Sequence, residues 1–434
     1  MAEHALVAGQ LAVIVVMGLI AAASVDIFSE RSFGDESAHL AYVQTVAEDQ
    51  RLPVLGEDRI SVEVAALRAG RDPATDPDIE PPRGFDAEQY EAFQPPLYYL
   101  LAAPVFAVAD AVTDDWFPRV KLLRAQSLAY LLAAAWVLFL LARRVMPNAH
   151  LIAFSAALMV LMWPGVLVMG ATVSNASLEL LAVACLAYAL WRADSEVSSR
   201  WLLLSGLALG LGILTKFTVV ALAPLLAVVA VRYAMHTAEP RKWVVVAGCA
   251  AIPIVVLAPW LAFNLDHYDA LTPNGLAKQI QTPIINPTRA NFGFGTFWSG
   301  VPDVFSGFYP LEWIFHGPER PKVLVLALEF VKAAVFGFPL LLLVLEPRWL
   351  KSRHVLLLAG PLVLAIAMIA YSTVIENWPL TLPRYVFPAL PPLALFAALS
   401  WSRLLRPPSA PLVLSALCSL AIAVVWIDSI GRYL

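Results

Sequence analysis

The stretch Phe33-Gly-Asp-Glu-Ser-Ala-His-Leu-Ala-Tyr-Val43 gathers two adjacent carboxylates, an imidazole and a phenol in one short segment. Asp35, His39 and Tyr42 recur at i, i+4 and i+7, so in a helix they share one face. A carboxylate and an imidazole one turn apart can serve as general base and orienter, or as two ligands of a divalent metal. Asp35 and Glu36 equally suit the solvated start of a helix, with Ser32 or Asp35 as N-cap. Spacing alone leaves both readings open.

A second candidate is Glu91-Ala-Phe-Gln-Pro-Pro-Leu-Tyr-Tyr99, in which Gln94 precedes a Pro-Pro pair. The prolines hold the chain extended before a short apolar helix. That geometry fits a rigid polar finger at a membrane surface, and also an ordinary helix start with Pro in its first turn. Two cations stand out in apolar surroundings: Lys216 in GILTKFTVV and Arg384 in LTLPRYVFP. Ionisable groups at membrane depth are costly and need a partner. A lipid-linked phosphate suits Arg through bidentate hydrogen bonds, and snorkelling to the interface is the alternative. Gly206 to Lys216 lacks the phosphate-loop spacing, and its glycines read as helix-packing positions. Cys185, Cys249 and Cys418 all lie in apolar runs and read as small core residues.

The elements that must hold these residues are membrane helices. The chain is 60% hydrophobic and only 14% charged, against about a quarter charged in soluble domains. Apolar runs of about 18–23 residues recur from end to end, each long enough to cross a hydrocarbon core. We read an all-α polytopic membrane protein of about eleven spans, near 5–25, 120–142, 150–171, 175–192, 200–214, 217–234, 242–264, 322–345, 354–374, 384–402 and 410–428. The first is expected to be an uncleaved span. Pro95 to Val112 is short enough to lie on the membrane as an interfacial or re-entrant helix. Charge favours that placement. Alternate short loops then carry Arg143, Arg144, Arg192, Arg200, Arg232, Arg241, Lys242, Arg348, Lys351, Arg353, Arg403 and Arg406, while the opposite loops and the C-terminal tail carry Lys216, Arg384 and Arg432. The basic set marks the cytoplasmic side, so the N-terminus is expected in the cytoplasm and the C-terminus outside.

Two long outer loops follow, 26–119 and 265–321, the first carrying juxtamembrane helices. The expected units are a seven-span module over 1–264, the second loop 265–321, and a four-span module over 322–434. From Asp26 to Gln94 the acids outnumber the bases by about sixteen to six, which excludes nucleic acid as a partner of this loop.

With DESAHLAYV, FQPPLYYLLAAP, TVSNAS at 172–177, PWLAFNLDHYDALTPN at 259–274 and the Pro-Arg-Tyr-x-x-Pro segment in hand, the chain resembles the GT-C superfamily of polytopic glycosyltransferases. That group includes the protein O-mannosyltransferases and the bacterial enzymes that move aminoarabinose from a polyprenyl phosphate to lipid A. The first segment looks like its D-E-x-x-H-x-x-Y signature, the second like its H/K-P-P-L-x-Y helix, the third like its T-x-S-N-D turn. Three positions depart from the pattern: Ala176 replaces the second acid, Phe263 an Arg, and Gln94 a His or Lys.

The resemblance implies a bundle of the GT-C type whose active site faces the extracytoplasmic side of a bacterial cell membrane. It implies transfer of a sugar from a polyprenyl-phosphate donor to a hydroxyl on a glycan, lipid or protein acceptor, within membrane lipid. Asp35 and Glu36 are then the expected catalytic pair, and His39, Gln94, Tyr98, Lys216, Asn264, Arg384 and Tyr385 the expected substrate-binding set. Asp35 and His39 are the expected ligands if a divalent cation, Mg or Mn, takes part. The alternatives are a non-catalytic membrane subunit and a lipid or sugar transporter of the same fold.

Overall fold

The computed structural model describes residues 35–68, 71, 87–147, 150–161, 166, 169–170, 172–285, 295–298, 353–376 and 383–404. The spans expected near 5–25, 322–345 and 410–428 lie outside the described residues. Among those described the regular elements are helical, and the single β-bridge joins Arg59 to Glu88.

The part of the chain before the long helices contributes α1 (Glu36–Asp49), α2 (Val62–Arg68), a 3₁₀ turn at Tyr90–Phe93, and α3 (Leu97–Val112). At 16 residues α3 is shorter than a span needs. Pro96 stands at its N-cap, so the Pro-Pro pair does open a helix, while Gln94 stays outside it in extended backbone. One face of α3, Tyr98, Tyr99, Ala102 and Phe106, is buried with Leu40, Tyr42 and Val43 of α1 in a small core. Leu100, Leu101, Val108 and Val112 face outward, an apolar surface that suits lipid contact.

The bundle follows as α4 (Trp116–Val145), α5 (His150–Leu161), α6 (Ala176–Glu196), α7 (Ser199–Thr215), α8 (Ala223–His236) and α9 (Lys242–Tyr268). Asp115 caps α4 by accepting the Phe117 N–H at 2.9 Å, and Arg143 and Arg144 sit in its last turn, where the helix dipole favours cations. Four stretches, Trp116–Val145, Ala176–Glu196, Phe217–His236 and Lys242–Tyr268, are long and apolar enough to cross a membrane. The expected span 217–234 opens as a 3₁₀ segment, Phe217–Leu222, because α7 stops at Thr215 and Lys216 is extended. Helices α7 and α9 approach closely through glycine: a Cβ on Gly206 would lie 2.5 Å from the Cys249 carbonyl oxygen, and one on Gly210 2.9 Å from Pro253 Cα. These glycines are packing positions, as the sequence suggested.

Beyond the bundle, α10 (Asn274–Ile285) follows α9, and α11 (Arg353–Leu358), α12 (Gly360–Val374) and α13 (Leu390–Leu404) belong to the C-terminal part. A 3₁₀ segment, Pro383–Ala389, precedes α13; Pro388 inside it lacks the N–H that an α-helical ladder would use there. One apolar core runs from Leu128 on α4 to Leu399 on α13. The segments before α4 and after α9 clasp each other. Leu276 and Ile280 of α10 pack with Leu55, Ala92 and Phe93, and the Leu55 N–H donates to the Tyr268 hydroxyl at 2.8 Å.

Candidate active site

Asp35 stands at the N-cap of α1, yet its carboxylate makes no capping bond to its own helix. It instead accepts a hydrogen bond from the Tyr90 hydroxyl at 2.8 Å. The half-buried carboxylate is thus aimed across the loop by the 3₁₀ turn, and the solvated helix start is not what the sequence builds. One turn on, His39 Nδ1 meets the Tyr99 hydroxyl at 2.8 Å. The Tyr42 ring stacks on Tyr99 with centroids 3.6 Å apart, and its hydroxyl donates to the Gln94 carbonyl at 3.3 Å. The shared face of Asp35, His39 and Tyr42 is therefore the face that meets α3. Burial raises the phenols of Tyr42, Tyr98 and Tyr99 above their ordinary range, so all three remain protonated.

Glu36 points the other way. Its carboxylate takes Arg124 of α4 bidentately, with Nε to Oε1 at 2.8 Å and Nη2 to Oε2 at 2.7 Å. Oε1 also accepts the Val173 N–H at 2.8 Å. Glu36 is 2% exposed and Arg124 1%, so this is a buried ion pair that ties α1, α4 and the turn before α6 together.

That turn, Thr172 to Asn175, is where the chain segments converge. The Ser174 N–H donates to the Tyr98 hydroxyl at 3.1 Å, and that hydroxyl shares a further hydrogen bond with Ser127 Oγ at 2.8 Å. Asn175 Nδ2 donates to Gln94 Oε1 at 3.3 Å and to the Thr215 carbonyl at 3.4 Å. On α6, Glu179 receives Lys216 Nζ at 3.0 Å and Thr218 Oγ1 at 2.5 Å. This second buried pair anchors the break between α7 and α8.

The structure thus brings Asp35, Glu36, His39, Gln94 and Tyr98 into one connected region. Lys216 joins it at the edge, through Asn175 and Thr215, but with its charge committed to Glu179. Asn264 bonds the Leu271 carbonyl at 2.9 Å and shapes the exit from α9. Tyr385 packs against the cluster of Phe297, Ile369 and Val386. The side chain of Arg384 lies outside the described residues. Sequence reading passed over Arg124, Tyr90, Tyr99 and Ser127. Arg124 carried a signal, because a cation inside a long apolar helix demands a partner.

For a divalent cation the described residues supply Asp35 and His39 without a third His, Cys, Asp or Glu, and His39 Nδ1 already meets Tyr99. Mg is commonly held by one or two carboxylates completed by water and a substrate phosphate, so Asp35 is the residue of this set that would hold such an ion.

Residues 94–263 match the family described as dolichyl-phosphate-mannose-protein mannosyltransferase, a stretch that opens at Gln94 and leaves Asp35 outside it. In fold the chain is similar to the crystal structure of ArnT from Cupriavidus metallidurans bound to undecaprenyl phosphate, with 18% identity, 92% of this chain and 60% of that one covered, and a TM-score of 0.54. The apo state of the same protein aligns at 17% identity over 94% of this chain and 62% of its own, with a TM-score of 0.52. The apo oligosaccharyltransferase of Archaeoglobus fulgidus aligns at 14% identity over 98% of this chain and 56% of its own, with a TM-score of 0.47. The chain thus spans about three fifths of the length of the ArnT structures. No curated protein matches it in sequence.

These findings show an all-α polytopic membrane protein with a fold similar to that of the ArnT structures. The resemblance read from the motifs is the one that the family match and the ArnT fold return.

Proposed function

We propose that this protein transfers a sugar from a polyprenyl-phosphate donor to a hydroxyl acceptor at the extracytoplasmic face of a cell membrane, with Asp35 as general base. The observation that carries the reading is the Asp35 carboxylate, turned away from its own helix and held by Tyr90 at 2.8 Å. A hydroxyl is a weak nucleophile, and a carboxylate within hydrogen-bond reach must take its proton. The acceptor oxygen then bonds to the anomeric carbon as the bond from that carbon to the phosphate oxygen breaks. The electron pair leaves on the polyprenyl phosphate, the proton stays on Asp35, and the anomeric configuration inverts. Glu36 positions the base by anchoring the first turn of α1 to Arg124. His39 is held by Tyr99 beside it. Arg384 is assigned to the departing phosphate, since Lys216 is committed to Glu179. No step is routed through a metal.

One observation favours a second reading, a non-catalytic membrane subunit. Ala176, 1% exposed, occupies the turn position where the resemblance leads one to expect a second acid. A panel of polyprenyl-phosphate sugars incubated with the purified protein separates the two, with sugar release or transfer followed by mass spectrometry. Wild type is expected to turn over at least one donor, and Asp35→Asn to lose about 10²–10⁴-fold in rate while retaining the wild-type unfolding temperature. A fully active Asp35→Asn protein refutes the assignment of the base.

A further inference from the structure

Asn175 occupies the N-cap position of α6, where an asparagine side chain ordinarily accepts a hydrogen bond from the first turn. Here it makes no such bond; the Ala176 N–H goes to Ser174 Oγ at 3.2 Å instead. Both Asn175 Nδ2 hydrogens are directed sideways, one to the Thr215 carbonyl and one to Gln94 Oε1. A main-chain carbonyl can only accept, so Thr215 fixes which end of the Asn175 amide faces it. Asn175 in turn can offer Gln94 only a donor, so Gln94 must answer with its oxygen. The Gln94 amide is thereby set with Nε2 turned away from Asn175. Gln94 is half-buried, at the rim of the aromatic wall formed by Tyr42, Tyr99 and His39.

We propose that Asn175 is a positioning residue that fixes the polarity of the Gln94 amide, so that Nε2 presents an uncharged, directional donor to an oxygen of the donor's phosphate headgroup. This deepens the reading of a polyprenyl-phosphate donor and rests on it. Freed from Asn175, the Gln94 amide can rotate by half a turn and offer its oxygen, which repels a phosphate oxygen. A lysine at position 94 would carry a donor that looks the same from every side, and it would need no such fixing.

The test is the dissociation constant of undecaprenyl phosphate for the full chain in lipid nanodiscs, measured for wild type, Asn175→Ala, Gln94→Lys and the double variant. Asn175→Ala is expected to weaken binding about 3- to 10-fold in the wild-type background, the span of one hydrogen bond, and to change nothing in the Gln94→Lys background. An equal loss in both backgrounds shows that Asn175 merely holds the start of α6 and overturns the proposal, as does an Asn175→Ala protein that binds like wild type. Should the alanine variant fail to fold, Asn175→Ser replaces it in the same cycle. Serine can cap α6 but is too short to reach Gln94. Wild-type protein that fails to bind the probe overturns the polyprenyl-phosphate reading itself, and this inference with it. Binding that ignores Asn175 sinks this inference alone.

Discussion

Replacing Arg124 by methionine removes the guanidinium from a carboxylate that water cannot reach. Glu36 is 2% exposed and would keep the Val173 N–H at 2.8 Å while losing two charge-assisted bonds at 2.7 and 2.8 Å. Breaking one partner of a buried pair costs about 3–5 kcal/mol, since the remaining charge is left uncompensated. Glu36→Gln alone leaves the mirror problem, a buried guanidinium facing a neutral amide. The double variant Glu36→Gln/Arg124→Met buries no charge, and the glutamine oxygen still accepts from Val173. It should therefore be more stable than Arg124→Met by about 2 kcal/mol or more, a coupling far outside the additivity of independent sites. Reversible unfolding of the four proteins in one detergent, followed by tryptophan fluorescence, measures the cycle. Single losses that simply add in the double variant would refute the argument that the pair is a buried clamp.

Two further outcomes follow from the geometry. Gly206→Ala should destabilise by about 1–3 kcal/mol through forced separation of α7 and α9, because the new Cβ would stand 2.5 Å from the Cys249 carbonyl oxygen, whereas Gly275→Ala, with nothing within 4 Å, should leave the unfolding temperature unchanged. In the segment before α4, the hydrogen bond from Arg51, joined by the Val54 N–H, holds the Asp58 carboxyl below its ordinary 3.8. The folded loop favours ionised Asp58, so this contribution is present above about pH 3.8 and is lost as pH falls below it. The protection of the amides of residues 54–60, taken relative to the intrinsic exchange rate at each pH, should fall on acidification in wild type, and an Asp58→Asn protein whose loop exchanges at the wild-type rate at pH 7 would contradict the assignment.

The local parts of this architecture were legible because helix physics is local. Composition and apolar run lengths gave the membrane class. The i, i+4, i+7 spacing gave the face of α1 that meets Tyr99, and the Pro-Pro pair gave the start of α3. The break at Lys216 falls between two expected spans, but the 3₁₀ segments Phe217–Leu222 and Pro383–Ala389 were read as the openings of spans 217–234 and 384–402, since apolar runs do not reveal where a helix tightens. The Tyr90–Asp35 contact was invisible for a different reason. It joins residues 55 positions apart in the chain, and no periodicity encodes that.

The buried ion pairs lie between these cases, and one of them was derivable. Helices α6 and α7 are joined by a two-residue connection, Val197–Ser198, so they must run antiparallel as neighbours. Residues 179 and 216 lie equally far from that connection, which puts Glu179 and Lys216 level with each other across the hairpin. The 3.0 Å contact is what that register requires. With Lys216 so assigned, Arg124 in α4 still needed an acid, and the cost of an unpaired ion in an apolar bundle leaves few carboxylates at the same level. Glu36, at the head of the first loop helix, is one of them. Of the two adjacent acids in the motif, the one that follows is therefore consumed by the fold, which leaves Asp35 for the role of base in the proposed transfer.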